Sequence, residues 1–337
     1  MRIHATGSYN LPIVEPALPP SRRHRVPLVA ALSLLVIMSV TAEAANQART
    51  PICSIDMGSN SFRRIVGSFG NGRYEQRNIE RRTLGVGDDV ARHGKISDLK
   101  LAEIEAALSA FKASCEKEGV ARVVAIGTSA FRDAPNGARA LEIAAKLGIP
   151  MEIATEKRES ELAYLVGSLG QDGYAVIDNG SRSIELVAKA GRAPRYVLFN
   201  LGYRLAYEKF FAAAEDPKAA SLAFRDRLKQ EALKAPFMRG KKKLVGVEFG
   251  EMADVLFEPA ELEGRVFTLK ELKLKLHQIT NTRSNEFQVL KKKKDIDRAL
   301  PRLVVAAFLT EEFGYSQLEL TERELGAGLI IEAGLHF

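Results

Sequence analysis

From Ile52 the apolar and polar positions fall into short runs that predict three strands in succession, at Ile52 to Asp56, Arg64 to Phe69 and about Tyr74 to Arg82. Gly70-Asn71-Gly72 predicts a tight turn between the second and third. Between the first and second, an apolar run stops on Asp56 and four small polar residues, Gly58-Ser59-Asn60-Ser61, follow before Ile65-Val66 resumes it. A hairpin turn is the plain reading of such residues. Residues 84–97, "LGVGDDVARHGKIS", read as an irregular loop punctuated by glycine. Ser97 then caps a helix in which Leu101, Ile104, Leu108 and Phe111 recur at helical spacing. "RVVAIGTS" predicts a buried strand, followed by a helix from about Ala138 to Leu147, a short strand at Met151 to Ala154 and a helix from about Lys157 to Leu169. Strands alternating with helices after a β-hairpin start give an α/β pattern.

The cycle then begins again. "GYAVIDNGSRSIELVAKAG" is a strand ending in Asp178, a polar turn and a strand from Ile184; "PRYVLFNLG" adds a third strand before a helix at Leu205 to Phe211. Two strand-Asp-turn-strand units in one chain predict duplicated halves facing one another, at 50–170 and 171–337. Beyond Ala213 the pattern is mostly helical, with one strand at Lys243 to Val247.

The N-terminal pattern differs. Arg22, Arg23 and Arg25 precede the apolar stretch from Val26 to Val40, and Ala42-Glu43-Ala44 follows as a small-x-small site. This is the layout of a signal peptide over residues 1–44, cleaved after Ala44, with a periplasmic or secreted mature chain. The stretch is shorter than the roughly 20 residues a spanning helix needs. Cleavage removes four arginines and two glutamates, which takes the net charge from +7 to +5. That excess favours an anionic partner. Lys241 to Lys243 and Lys291 to Lys294 either line an approach for that partner or lie on solvated faces. His93, His277 and His336 are far apart and no Cys-x-x-Cys exists, so any metal is expected on oxygen ligands rather than in a zinc site.

A tight loop after a strand can turn backbone N–H groups toward a phosphate, with Ser and Asn side chains adding donors. Two such loops on opposed halves would grip one anion from both sides, with Asp56 and Asp178 near the same cleft and Glu185 at the far end of the second turn. Carboxylates beside a bound phosphate commonly hold Mg²⁺. Taken singly, each Asp reads as a turn cap.

"IDMGSNSFR", "TLGVGDDVARHGKIS", "AIGTSAFRDAPN", "ATEKRESELAYL", "AVIDNGSRSIEL" and "NLGYRLAYEKFF" resemble, in order and spacing, the exopolyphosphatase / guanosine pentaphosphate phosphohydrolase (Ppx/GppA) family, over roughly residues 52 to 212. The resemblance implies an α/β fold of two actin-like, ribonuclease-H-like domains around an interdomain cleft, in the short two-domain form, with the C-terminal helix packing back on the first domain. It implies Mg²⁺-dependent hydrolysis of a terminal phosphoanhydride of polyphosphate or a related polyanion. By motif, Asp56, Gly58, Ser59, Asn60 and Ser61 form the first phosphate loop. Arg132 and Asn136 match the family's Ser-x-x-Arg-x-x-x-Asn segment, and Glu159 matches the glutamate that activates water. Asp178 and Glu185 match the second pair of carboxylates, with Mg²⁺ as their ion, and Gly180, Ser181, Arg182 and Ser183 form the second phosphate loop. The partners so implied are polyphosphate or another phosphate polyanion, with self-association into a homodimer left open, no nucleic acid, and no membrane once residues 1–44 are gone.

The chain also departs from the pattern. The family's Asp-Ile-Gly-Gly-Gly-Ser-Thr-Glu stands here as residues 178–185, "DNGSRSIE", with two glycines lost. Glycine tolerates positive φ and close approach, so Ser181 and Arg182 call the geometry of the second loop into question. The Gly-Gly-Thr element is represented only by "VGVEFGEMADVL", and the closing element is "ELGAG". Three functions therefore compete: an exported phosphatase, a polyanion-binding protein of the same fold with weakened turnover, and an actin-like nucleotide hydrolase or kinase. A cytoplasmic chain would favour pppGpp as substrate. Cys53 and Cys115 fall, in the strand order that the resemblance implies, at the sheet edge away from the cleft. There they form either two buried thiols or a bridge.

Overall fold

The computed structural model describes residues 50–191, 193–257 and 265–335. The proposed leader and His336 lie outside the described residues. Six consecutive buried residues mark β1 (Ile52–Met57) as a central strand. It is followed by β2 (Ser61–Gly70), β3 (Arg73–Thr83), α1 (Val86–His93), α2 (Asp98–Lys117), β4 (Arg122–Gly127), α3 (Ser129–Asp133), α4 (Arg139–Lys146), β5 (Met151–Ile153) and α5 (Glu156–Ser168). The strands form one sheet in the order β3-β2-β1-β4-β5. β1 pairs antiparallel with β2 and parallel with β4. Asn71 and Gly72, both at positive φ, form the two-residue turn that joins β2 to β3.

The second half repeats this plan. β6 (Tyr174–Asn179), β7 (Ile184–Ala190) and β8 (Ala193–Phe199) lead into α6 (Tyr203–Ala206), which widens into a π-helical turn at Tyr207–Phe211. Then come α7 (Pro217–Ala232), β9 (Lys243–Val247), α8 (Gly250–Leu256), β10 (Val266–Thr268), α9 (Leu269–Thr280), α10 (Ser284–Leu290), α11 (Ile296–Glu312), β11 (Gln317–Leu320) and α12 (Leu325–Leu335). The sheet order is β10-β11-β9-β6-β7-β8. Read from β8, its first five strands reproduce the order of the first sheet. This is the duplicated, actin-like α/β architecture.

Strand alternation divides each sheet into two faces. Ile55 and Met57 face outward onto α2, against Ile104, Leu108 and Phe111. Ile177 belongs to the outer core of the second half, with residues of α7 and α11 such as Phe224 and Leu303. The inner faces are covered by an exchange of helices: α5, from the first half, packs on β6, β7 and β9, while the C-terminal α12 packs on β1 and β2, and the two helices pack on each other. Leu162 and Ala163 of α5 meet Leu325 and Leu329 of α12 in that middle layer.

Several elements differ from the sequence reading. Part of residues 84–97 is helical: Gly85 and Gly94 take left-handed conformations at the two ends of α1 rather than breaking it, and the Asp89 carboxylate accepts from Ser97 N and Oγ, at 2.7 and 2.9 Å. Strands β10 and β11 are three and four residues long, too short to show alternation. Three lysines of the two runs have partners nearby. Lys241 and Lys291 donate to backbone carbonyls of Lys189 and Ala214, and Lys243 pairs with Glu319 at 2.9 Å. Cys53 and Cys115 are bridged, with Cα atoms 5.9 Å apart. Closing a loop of 62 residues stabilises the fold by about 4 kcal/mol, chiefly by restricting the unfolded chain.

Candidate active site

In each half the first two strands place a pair of charges opposite one another. Asp56 on β1 is in register with Arg63 on β2, and Asp178 on β6 is in register with Glu185 on β7. The connections between them are equal in length, Gly58-Ser59-Asn60-Ser61 and Gly180-Ser181-Arg182-Ser183. No residue of either connection has positive φ. Ser181 and Arg182 are therefore accommodated without strain, and the loss of two glycines leaves the second turn a counterpart of the first.

The loop after the third strand buttresses each turn. Leu84, Gly85 and Gly87 N–H groups donate to the carbonyls of Asn60 and Ser59, at 2.8 to 3.0 Å. Gly202, Tyr203 and Arg204 do the same for Arg182, Gly180 and Ser181, at 2.9 to 3.1 Å. The contact is close: a Cβ on Gly202 would lie 2.4 Å from the Gly180 carbonyl oxygen. In a planar trans peptide the N–H points opposite to the preceding C=O. Carbonyls drawn outward thus turn the N–H groups of Asn60, Ser61, Ser181, Arg182 and Ser183 inward, as a phosphate cradle requires.

Both loops line one open cavity, together with Asp56, Glu159, Asp178 and Glu185. Glu159 lies in the first turn of α5, which Thr155 caps at 3.2 Å and Arg158 ties to Glu332 of α12 through two bonds of 2.6 and 2.7 Å. Arg132 Nη1 donates to Glu159 Oε2 at 3.0 Å and to the Ala154 carbonyl at 2.9 Å. Arg132 is thereby set to orient Glu159. Burial pushes the Glu159 carboxyl above the ordinary range, and the Arg132 hydrogen bond opposes that rise. Asn136 is a correction to the predicted phosphate set: its amide accepts from Ile96 N–H at 2.9 Å and donates to Ile96 C=O at 2.8 Å, which clips the loop before α2.

The carboxylates differ in how they are satisfied. Burial pushes Asp56 up to about 7 against the pull of Arg63. Asp178 and Glu185 are driven up by burial and then by nearby carboxylates, above all Glu248 for Asp178 and Glu159 for Glu185. Asp178 Oδ1 and Glu185 Oε1 are buried without a hydrogen-bond partner. Two hard oxygen donors in that condition fit Mg²⁺. Among the described residues no group of three His, Cys, Asp or Glu side chains could hold a metal. Water and phosphate oxygens would complete the shell, as Mg²⁺ favours.

Sequence reasoning missed the ion network beneath the loops. Arg63 pairs with Glu248 and, at 3.1 Å, with Glu324. Arg302 is 1 % exposed, lies 3.9 Å from the Tyr203 ring centroid and reaches Glu251 at 3.2 Å and Glu248 at 3.8 Å. Against the cost of burial, Arg63 and Arg302 hold Glu248 below the usual carboxylate range. Glu248 takes φ 65°, a left-handed conformation, in the stretch where the family pattern carries Gly-Gly-Thr. A lone arginine inside the apolar run "ALPRLVVAAFLT" was the legible sign of Arg302.

Two like loops, a buried carboxylate held by arginine and a pair of carboxylates with unpartnered oxygens thus line one cleft, an arrangement suited to phosphoryl transfer. The profile of the Ppx/GppA phosphatase family matches residues 76–335, and the chain belongs to that family, whose members hydrolyse phosphoanhydride bonds. Solved structures agree in fold. An Aquifex aeolicus family member shares 22 % identity, with 85 % of this chain and 98 % of that one covered and a TM-score of 0.71. The Aquifex aeolicus PPX-GPPA enzyme shares 24 % over 84 % and 99 %, with a TM-score of 0.69. An exopolyphosphatase from Cytophaga hutchinsonii shares 20 % over 85 % and 98 %, with a TM-score of 0.65. No curated protein matches the chain.

Proposed function

We propose that the protein is an exported, Mg²⁺-dependent phosphatase that removes terminal phosphate from inorganic polyphosphate. The observation that carries this reading is Glu159: a buried carboxylate, oriented by Arg132, facing the cavity that both phosphate loops line. In that setting the inward N–H groups of the two loops hold the terminal phosphate. Glu159 accepts the proton of the water that attacks phosphorus in line with the leaving oxygen, and Arg132 keeps its carboxylate aimed. Asp178 and Glu185 would hold Mg²⁺, which when bound neutralises charge on the phosphate oxygens.

An inorganic chain suits the cavity better than a nucleotide. Apart from Leu325 and Tyr203 the lining is polar or glycine, and the Tyr203 ring carries the Arg302 guanidinium, leaving little apolar surface for a base. Export is supported by the N-terminal pattern and by the Cys53–Cys115 bridge, which suits an oxidising compartment. One observation favours a binding protein with weakened turnover instead: Glu248 places its own carboxylate on Arg63 and Arg302 within the site.

Phosphate release from polyphosphate, tripolyphosphate, pppGpp and ATP, with and without Mg²⁺, separates these readings. Glu159→Gln is expected to lower kcat by about 10²- to 10⁴-fold while polyphosphate affinity stays within a few fold. More than half the wild-type rate in that variant would overturn the assignment. Because the base must be ionised and its pKa is raised, activity is lost as pH falls through a value above that of ordinary glutamate.

A further inference from the structure

The reaction cavity opens into two others. One shares Ser59, Asn60, Ser181 and Arg182 with it. The other shares Arg63, Arg81, Glu248 and Glu251. We infer that a polyphosphate chain bound at the active site runs out through the first opening, between the two phosphate loops, where Arg182 and Arg92 form a subsite for phosphates beyond the scissile bond. This rests on the polyphosphate reading of the cavity.

Charge decides between the two openings. In the second, Arg63 pairs with Glu248 and Glu324, Arg81 with Glu324, and Arg265 with Asp254 and Glu322, while Arg323 donates Nε to the Val166 carbonyl at 2.7 Å. Its five carboxylates outnumber its four arginines, so a polyanion meets net repulsion there, whereas the first opening has three arginines against Asp88 and Glu208. In the first, Arg182 has no side-chain partner among the described residues, and Arg92 only donates Nε to the Asp88 carbonyl at 3.3 Å. Guanidinium groups left free beside a phosphate loop match phosphate oxygens with two parallel donors. Arg204 bridges the same opening to Asp88, at 2.9 and 3.1 Å, from α6 to α1. Both partners are 40 % or more exposed, and an ion pair so placed is weak enough for a phosphate to take over its arginine. The position equivalent to Arg182 in the first loop is Asn60, so only the second loop brings a guanidinium to the opening, and Arg92 of α1 lines it from the first half.

Calorimetric titration of the Glu159→Gln protein with tripolyphosphate and with a long polyphosphate tests the path without turnover. Adding Arg92→Gln is expected to weaken the long chain by about five-fold, the size of one exposed charge-assisted contact, and tripolyphosphate less. Arg265→Gln, at the second opening, should show no such length dependence. Equal weakening of both lengths by Arg92→Gln, or length dependence in Arg265→Gln instead, would overturn the path and leave the active-site reading intact. Failure of tripolyphosphate and long polyphosphate alike to bind without the Arg92 change would overturn the polyphosphate reading itself, and the path with it.

Discussion

The β1–β2 and β6–β7 hairpins share length, register and a Gly-Ser-x-Ser connection, yet they differ in the charge seven residues after the aspartate. In the first, Arg63 faces Asp56, and the arginine is further held by Glu248 and Glu324. In the second, Glu185 faces Asp178, and each carboxylate keeps a buried oxygen with no partner. Like charges directly opposite on a sheet are destabilising, and burial compounds the cost. A cation removes both penalties. The comparison teaches that duplication supplies two loops of one design, while one residue on the returning strand decides whether the hairpin carries its own counter-charge or a carboxylate pair that fits a cation.

The most severe way to break the comparison is Glu185→Arg, which copies the first hairpin's charge pair into the second. It is expected to lower kcat by about 10³-fold or more and abolish the response to Mg²⁺, read by phosphate release across a metal titration. A variant that kept its Mg²⁺ response would show that Glu185 does not hold the ion.

A second test uses pH. Asp56 titrates near 7 in the fold and near 3.8 when unfolded. Between those values the folded state holds the extra proton, so this carboxyl's contribution to stability is full below about 4 and is lost as pH rises toward 7. The loss is on the order of 4 kcal/mol. Asp56→Asn should flatten that part of the unfolding-versus-pH curve measured by denaturant titration, and an unaltered slope would refute the burial-driven shift.

The gentlest test is Arg182→Asn, which makes the two connections identical. The turn carries no strained residue, so folding should be unaffected. KM for polyphosphate is expected to rise about five-fold through loss of one guanidinium contact. No change in KM would mean that the substitution of arginine for glycine in this family member is silent.

Much of this was legible along the chain because it depends on near neighbours. Alternation and turn residues located β1 to β9, since a strand's side-chain period and a Gly-Asn-Gly turn are properties of a few consecutive residues. The motifs named Glu159, Asp178, Glu185 and both loops, which line one cavity, because a turn's consecutive backbone N–H groups are a property of its own few residues. What only the tertiary structure decided depends on residues distant in sequence. The hydrogen bond from Arg132 to Glu159 came into view only when α3 and α5 met. Asn136 left the site because Ile96, forty residues away, takes both ends of its amide. Glu248 and Arg302 became part of the cleft only when β9 and α11 met beneath the second loop. The bridge between Cys53 and Cys115 needed β1 and α2 packed side by side. Periodicity records which face a residue presents, whereas the partner that satisfies a buried charge is chosen by the packing of separate elements, and no local pattern encodes it.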